Sequence, residues 1–172
     1  MAAERLARAT PTIALVALAL QLSWSLPANA APAIRTDPAN AVPGCVTPVR
    51  LMAFLAERNP GLDARFKDIA NHYRYFGDAW RVRWDYAFFQ MVLETNYLTF
   101  RRPGGVRGDV DARQNNFAGI GATGGGVAGD RFATVATGVH AQIQHLVAYS
   151  GERLAAPIAS RTRLKQDDII SQ

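Results

Sequence analysis

Apolar residues recur at helical spacing in four stretches of the chain. Thr47-Pro48 opens the first, an N-cap residue followed by proline at the first helical position. Leu51, Met52, Leu55 and Ala56 form its apolar stripe, and Asn59-Pro60-Gly61 stops it. Phe66, Ile69, Ala70 and Tyr73 mark a second helix over residues 62–76, with Gly77 placed to end it. The third, over residues 84–97, is apolar on nearly every side through Tyr86, Phe88, Phe89, Met91, Val92 and Leu93, and Asp85 can cap it. Such a helix belongs in the middle of a domain. Val135, Val139, Ile143, Leu146 and Val147 mark a fourth helix from Thr134 to about Tyr149.

Between the third and fourth helices the period disappears. Residues 98–131 are rich in Gly and Asp, and Arg101-Arg102-Pro103-Gly104-Gly105 reads as a turn, which predicts loops and a short hairpin. Residues 151–172 carry Pro157 and mixed charges, without a capping signal. The expected class is α+β, mainly α, with a small irregular β-lobe inserted between helices. The N-terminus has a different character. Arg5 and Arg8 precede an apolar run from Ile13 to Leu22, and Ala28-Asn29-Ala30 supplies a small-residue cleavage site, so residues 1–30 read as a signal peptide. The apolar run is about half the length a membrane span needs. Residues 31–46, rich in Ala, Pro and Asn, are expected to be a flexible leader, and residues 47–172 the domain.

Charge changes the picture modestly. Lys and Arg number 19 against 14 Asp and Glu, a formal net charge of +5, and Lys67 and Lys165 are the only lysines. A basic exported protein suits an anionic surface such as a cell wall. The charges are scattered, with no basic helix or aromatic RNA-binding signature, which argues against nucleic acid. Cys45 stands alone, so no internal disulfide forms. His72, His140 and His145 lack metal-ligand spacing, and no G-x-S-x-G elbow exists. Gly119-Ile-Gly121-Ala-Thr-Gly124 matches G-x-G-x-x-G, but Gly125 and Gly126 follow where a helix should start. No metal or cofactor is expected.

Glu94 is the most informative residue, because it ends the apolar third helix. A carboxylate buried there costs several kcal/mol or keeps its proton near neutral pH, as the general acid of a glycosidase does. The alternative is an ion pair with an arginine near the helix end. A second carboxylate would have to come from beyond Glu94. Asp130, just after the glycine-rich loop, is the first choice, with Asp109 and Asp111 behind it; Asp130 could instead cap the following helix.

Three segments in order, Phe89-Gln-Met-Val-Leu-Glu-Thr-Asn96, Gln114-Asn-Asn-Phe-Ala-Gly-Ile-Gly121 and Gly138-Val-His-Ala-Gln-Ile-Gln-His-Leu146, resemble the glucosaminidase domain of bacterial autolysins and flagellar peptidoglycan hydrolases, glycoside hydrolase family 73. The resemblance covers roughly residues 47–160. It implies a lysozyme-like fold, Glu94 as catalytic acid, and cleavage of the β-1,4 bond after N-acetylglucosamine in peptidoglycan glycan strands, in the periplasm or outside the cell. Gln90, Tyr97, Asn116, Phe117 and Gly119 would contact sugar, with Asp130 activating water. Family domains continue into a further C-terminal segment, which this chain is expected to lack. Two alternatives stand beside hydrolysis: a lytic transglycosylase, which needs no second carboxylate, and a non-catalytic glycan-binding module.

Overall fold

A computed structural model describes residues 33–171, so the expected signal peptide lies outside the described residues. Five α-helices make up the described fold: α1 (Pro48–Arg58), α2 (Ile69–Trp80), α3 (Trp84–Glu94), α4 (Val135–Tyr149) and α5 (Ser160–Ile170). The domain is mainly helical. Among the described residues there is no β-strand, only isolated antiparallel bridges such as Arg101 with Arg107 and Gly124 with Val127. The expected β-lobe is therefore an irregular lobe, because its glycines adopt left-handed turns that interrupt any ladder.

The first helix forms as its residues dictate. The Thr47 side chain accepts from the N–H of Arg50 at 3.3 Å, Pro48 opens the first turn, and Asn59 closes the last by donating to the Leu55 carbonyl at 2.8 Å. Leu51 and Leu55 are buried toward α2. Residues 33–46, expected as a flexible leader, instead lie along the domain. The N–H of Thr36 donates to Arg81 and that of Arg83 to Ile34, at 2.8 and 2.7 Å. Arg35 pairs with Glu152 at 2.7 Å. Ile34, Val42 and Val46 pack on the core, which supplies the apolar burial that the composition of this stretch concealed.

Helix α2 runs through Gly77 rather than stopping there. A Cβ on Gly77 would lie 2.3 Å from the Cβ of Trp84, so this glycine permits the close approach of α2 and α3. The stop falls at Arg81, in left-handed conformation at φ 53°, with the N–H of Val82 reaching back to the Gly77 carbonyl at 2.8 Å. Asp85 does not cap α3 either. Both its oxygens are taken by Arg83, at 2.8 and 2.6 Å, in a buried bidentate pair.

Helix α4 starts where the sequence places it, with Thr134 accepting from the N–H of Thr137 at 3.1 Å. It packs mainly on α2, and also on α3 and α5. Tyr73, Phe66, Phe88, Phe117, Met91 and Ile143 fill the space between. Each side chain of this size contributes roughly 1.5–3 kcal/mol when removed from water. Gln142 adds a buried polar tie, receiving the Tyr73 hydroxyl and donating to the Ala87 carbonyl and to Gln90, at 3.1 and 2.9 Å. Burial pushes the Tyr73 phenol well above its ordinary pKa, which keeps it a donor to Gln142. Helix α5 carries no apolar stripe to betray it. Its inward residues Thr162 and Gln166 are polar, and Gln166 clasps Leu154 by both backbone groups at 3.1 and 3.2 Å.

Candidate functional site

Glu94 ends α3, and its side chain is exposed rather than buried. The expected burial fails because α3 buries Ala87, Phe88, Met91 and Val92 on another face. The exposed carboxylate lines a cavity of about 420 Å³ between the end of α3 and the irregular lobe. Phe100, Arg101, Arg102, Asp109 and Gly119 share that wall. Among the described residues Glu94 has neither an ion pair nor a hydrogen bond, so the arginine-pair alternative is not realised. A negative charge at a helix C-terminus also gains nothing from the helix dipole.

The chain leaving Glu94 is strained. Asn96, Tyr97, Leu98 and Phe100 all have positive φ, at 47°, 57°, 62° and 55°. Left-handed backbone costs each non-glycine residue about 1–2 kcal/mol. Thr95 holds the turn in place. Its buried hydroxyl donates to the Met91 carbonyl at 2.7 Å and accepts from the N–H of Leu98 at 2.9 Å. Asn59 reaches from α1 to the Tyr97 carbonyl at 2.8 Å, and Asn96 donates to the Arg101 carbonyl at 3.0 Å. Strain retained in this way clusters at functional sites. Here it delivers Phe100, Arg101 and Arg102 to the cavity wall one turn beyond Glu94.

The three candidate partner carboxylates separate clearly. Asp109 lines the same cavity as Glu94, with its Oδ2 paired to Arg102 at 2.5 Å. Asp130 does not line it. Its Oδ2 faces the Arg161 N–H at the start of α5, over a long 3.4 Å, and its backbone closes the glycine loop through Ile120 and Asn116. The helix next in sequence is capped by Thr134 instead. Asp111 does not line the Glu94 cavity either, and faces a second, smaller cavity. Hydrogen bonding to Arg113, with Arg107 adding to it, lowers its pKa to about 2.

The expected sugar-contacting residues also divide. Gly119 lines the cavity at φ 60°, with open space where a Cβ would stand. Asn116 and Phe117 are fully buried, so neither side chain is free to meet a ligand. Asn116 shapes the loop, accepting from the Ile120 N–H at 2.9 Å and donating to the Ile120 and Asp130 carbonyls at 2.8 and 3.0 Å. Phe117 anchors it edge-on against Phe66, with centroids 5.9 Å apart. Their effect is to present the Ala118–Gly119 backbone to the cavity. Gln90 is engaged by Gln142, and the Tyr97 ring packs toward Phe54 at 6.0 Å. Sequence reasoning missed Thr95, Arg101 and Arg102. The threonine directly after the glutamate was a usable signal, whereas Arg101-Arg102 before Pro-Gly-Gly looked like turn decoration.

A protein of Borreliella burgdorferi, named as an uncharacterized protein, is 36% identical to this chain over 104 residues. The matched segment is 60% of this chain and 48% of that protein, so the chain spans about half the length of the curated relative it matches. No family model matches the chain, and no solved structure matches it.

Proposed function

We propose that the chain is an exported peptidoglycan hydrolase that cleaves β-1,4 bonds after N-acetylglucosamine, with Glu94 as general acid. The observation that carries this reading is the unpaired Glu94 in the wall of a cavity bordered by the Ala118–Gly119 backbone. Two of the three segments that resemble the glucosaminidase domain thus meet at one cavity. A glycan strand seated there would exclude water from the space around Glu94. Glu94 then gives its proton to the glycosidic oxygen as the bond to the sugar C1 breaks. Water adds its oxygen to C1 and loses a proton to a second carboxylate. Asp109 fills that second role better than Asp130, because it shares the cavity and its Oδ1 has no partner among the described residues.

The Arg102–Asp109 pair favours a second reading, a lytic transglycosylase. With Asp109 neutralised, Glu94 is the one unpaired carboxylate on the described cavity wall, and an internal sugar hydroxyl would replace water. Mass spectrometry of fragments released from purified sacculi separates the two. Hydrolysis gives reducing N-acetylglucosamine ends that carry an added water; anhydro-sugar ends instead would replace hydrolysis by the transglycosylase reading. Binding to sacculi with no released fragment would contradict both.

A further inference from the structure

The irregular lobe holds more guanidinium groups than carboxylates, and among the described residues two of them, Arg101 and Arg131, form no ion pair; of these Arg101 lines a cavity. Arg102 is neutralised by Asp109 at 2.5 Å, while Arg107 and Arg113 share the single carboxylate of Asp111 at 2.8 and 3.0 Å. Arg101 forms no ion pair among the described residues. It is nevertheless fixed in place. Its Nη1 donates to the Gly105 carbonyl at 3.0 Å, its backbone bridges to Arg107, and its carbonyl receives the Asn96 side chain at 3.0 Å. A held, unpaired guanidinium is a preorganised anion receptor, because little freedom is lost when its remaining N–H groups are engaged.

Its location gives the anion a context. Arg101 lines the cavity that holds Glu94 and also a second cavity, of about 280 Å³, whose wall includes Phe100, Arg107 and Asp111. Phe100 and Arg101 are thus the partition between the two spaces. The second cavity has two guanidinium groups and one carboxylate on its wall, and that carboxylate is already committed to arginines.

We infer that this second cavity is a subsite for an acidic substituent of the glycan, with the substituent's carboxylate bound to the Arg101 guanidinium. The inference rests on the glycan reading above and deepens it: Arg101 is the residue that makes the chain prefer the carboxylate-bearing sugars of peptidoglycan over a neutral chain of N-acetylglucosamine. Glu94 would face the neutral glycosidic link while Arg101 holds the charged branch one turn away. The spacing between them selects which bond lies at the acid.

Calorimetric binding to the full chain carrying Glu94→Gln, which leaves ligands intact, tests this. The two probes are β-1,4 oligosaccharides of equal length, one with lactyl carboxylates on alternate sugars and one plain N-acetylglucosamine. The carboxylated probe should bind about tenfold more tightly, the scale of one charge-assisted hydrogen-bonded contact, and the preference should shrink as salt rises. Adding Arg101→Gln should remove the preference; Arg101→Lys should keep part of it. Equal affinity for the two probes, or a preference unchanged by Arg101→Gln in a folded variant, would overturn the subsite alone. Binding of neither probe would remove the glycan reading and the subsite with it.

Discussion

Thr95 fixes the direction the chain takes after Glu94. Its hydroxyl bonds back to the Met91 carbonyl in the last helical turn and receives the N–H of Leu98 from the left-handed turn, so one small buried side chain joins the catalytic candidate to the segment that carries the arginines. Three carboxylates were open from spacing alone, and distance along the chain favoured Asp130. Folding brings Asp109 to Glu94 and ties Asp130 to Gly121, the loop and α5, because the lobe turns back on itself at the Arg101–Arg107 bridge. Under the proposed hydrolysis, Asp109→Asn should therefore lower the rate of glycan cleavage about a hundredfold or more, the range expected for losing a general base. Asp130→Asn should act mainly on thermal stability. A larger rate loss in Asp130→Asn than in Asp109→Asn, measured as kcat/KM on soluble glycan, would reverse that assignment. Asn116 and Phe117 were legible as a motif but not as buried residues. An Asn-x-x-x-Ile spacing closes a loop as readily as it offers an amide to sugar.

At the level of elements, two helical glycines mark where backbones meet. Gly77 lets α2 reach Trp84 of α3, and a Cβ on Gly138 of α4 would lie 1.8 Å from the Asn115 carbonyl oxygen. The second contact joins α4 to the lobe that carries the cavity wall. Gly138→Ala should destabilise by about 2 kcal/mol or more, although alanine is the better helix former, and Gly77→Ala should also destabilise. Thermal unfolding checks both. A neutral or stabilising result at Gly138 would contradict the packing. The four helices with apolar stripes were readable from periodicity, and two were bounded correctly by Thr47 and Thr134. Gly77 misled because a glycine near a helix end signals a stop or a close approach equally well. Helix α5 was invisible because its buried contacts are hydrogen bonds, not apolar area.

For the whole molecule, acid should loosen the packing around two histidines. Burial lowers the pKa of His140, which stacks on Phe76 at 4.3 Å and accepts the Trp80 indole N–H at 2.9 Å. His145, bonded to Thr162 of α5, is lowered as well, first by burial and then by Arg161. Both bind a proton less readily folded than unfolded. Their contribution to stability is thus full above the unfolded value of about 6.5 and is lost as pH falls through the lower folded values. The melting temperature should fall from pH 7 to pH 5, and His140→Gln should reduce that fall; an equal fall in the variant would contradict the assignment. This dependence matters because the cavity is built across elements, α3 on one side and the lobe on the other. Whether Glu94 is the acid in that cavity is read from the reducing sugar released from purified sacculi, compared between the protein and Glu94→Gln at matched folding. Steady release by the protein and none by the variant is expected, whereas equal release by both would contradict the role of Glu94.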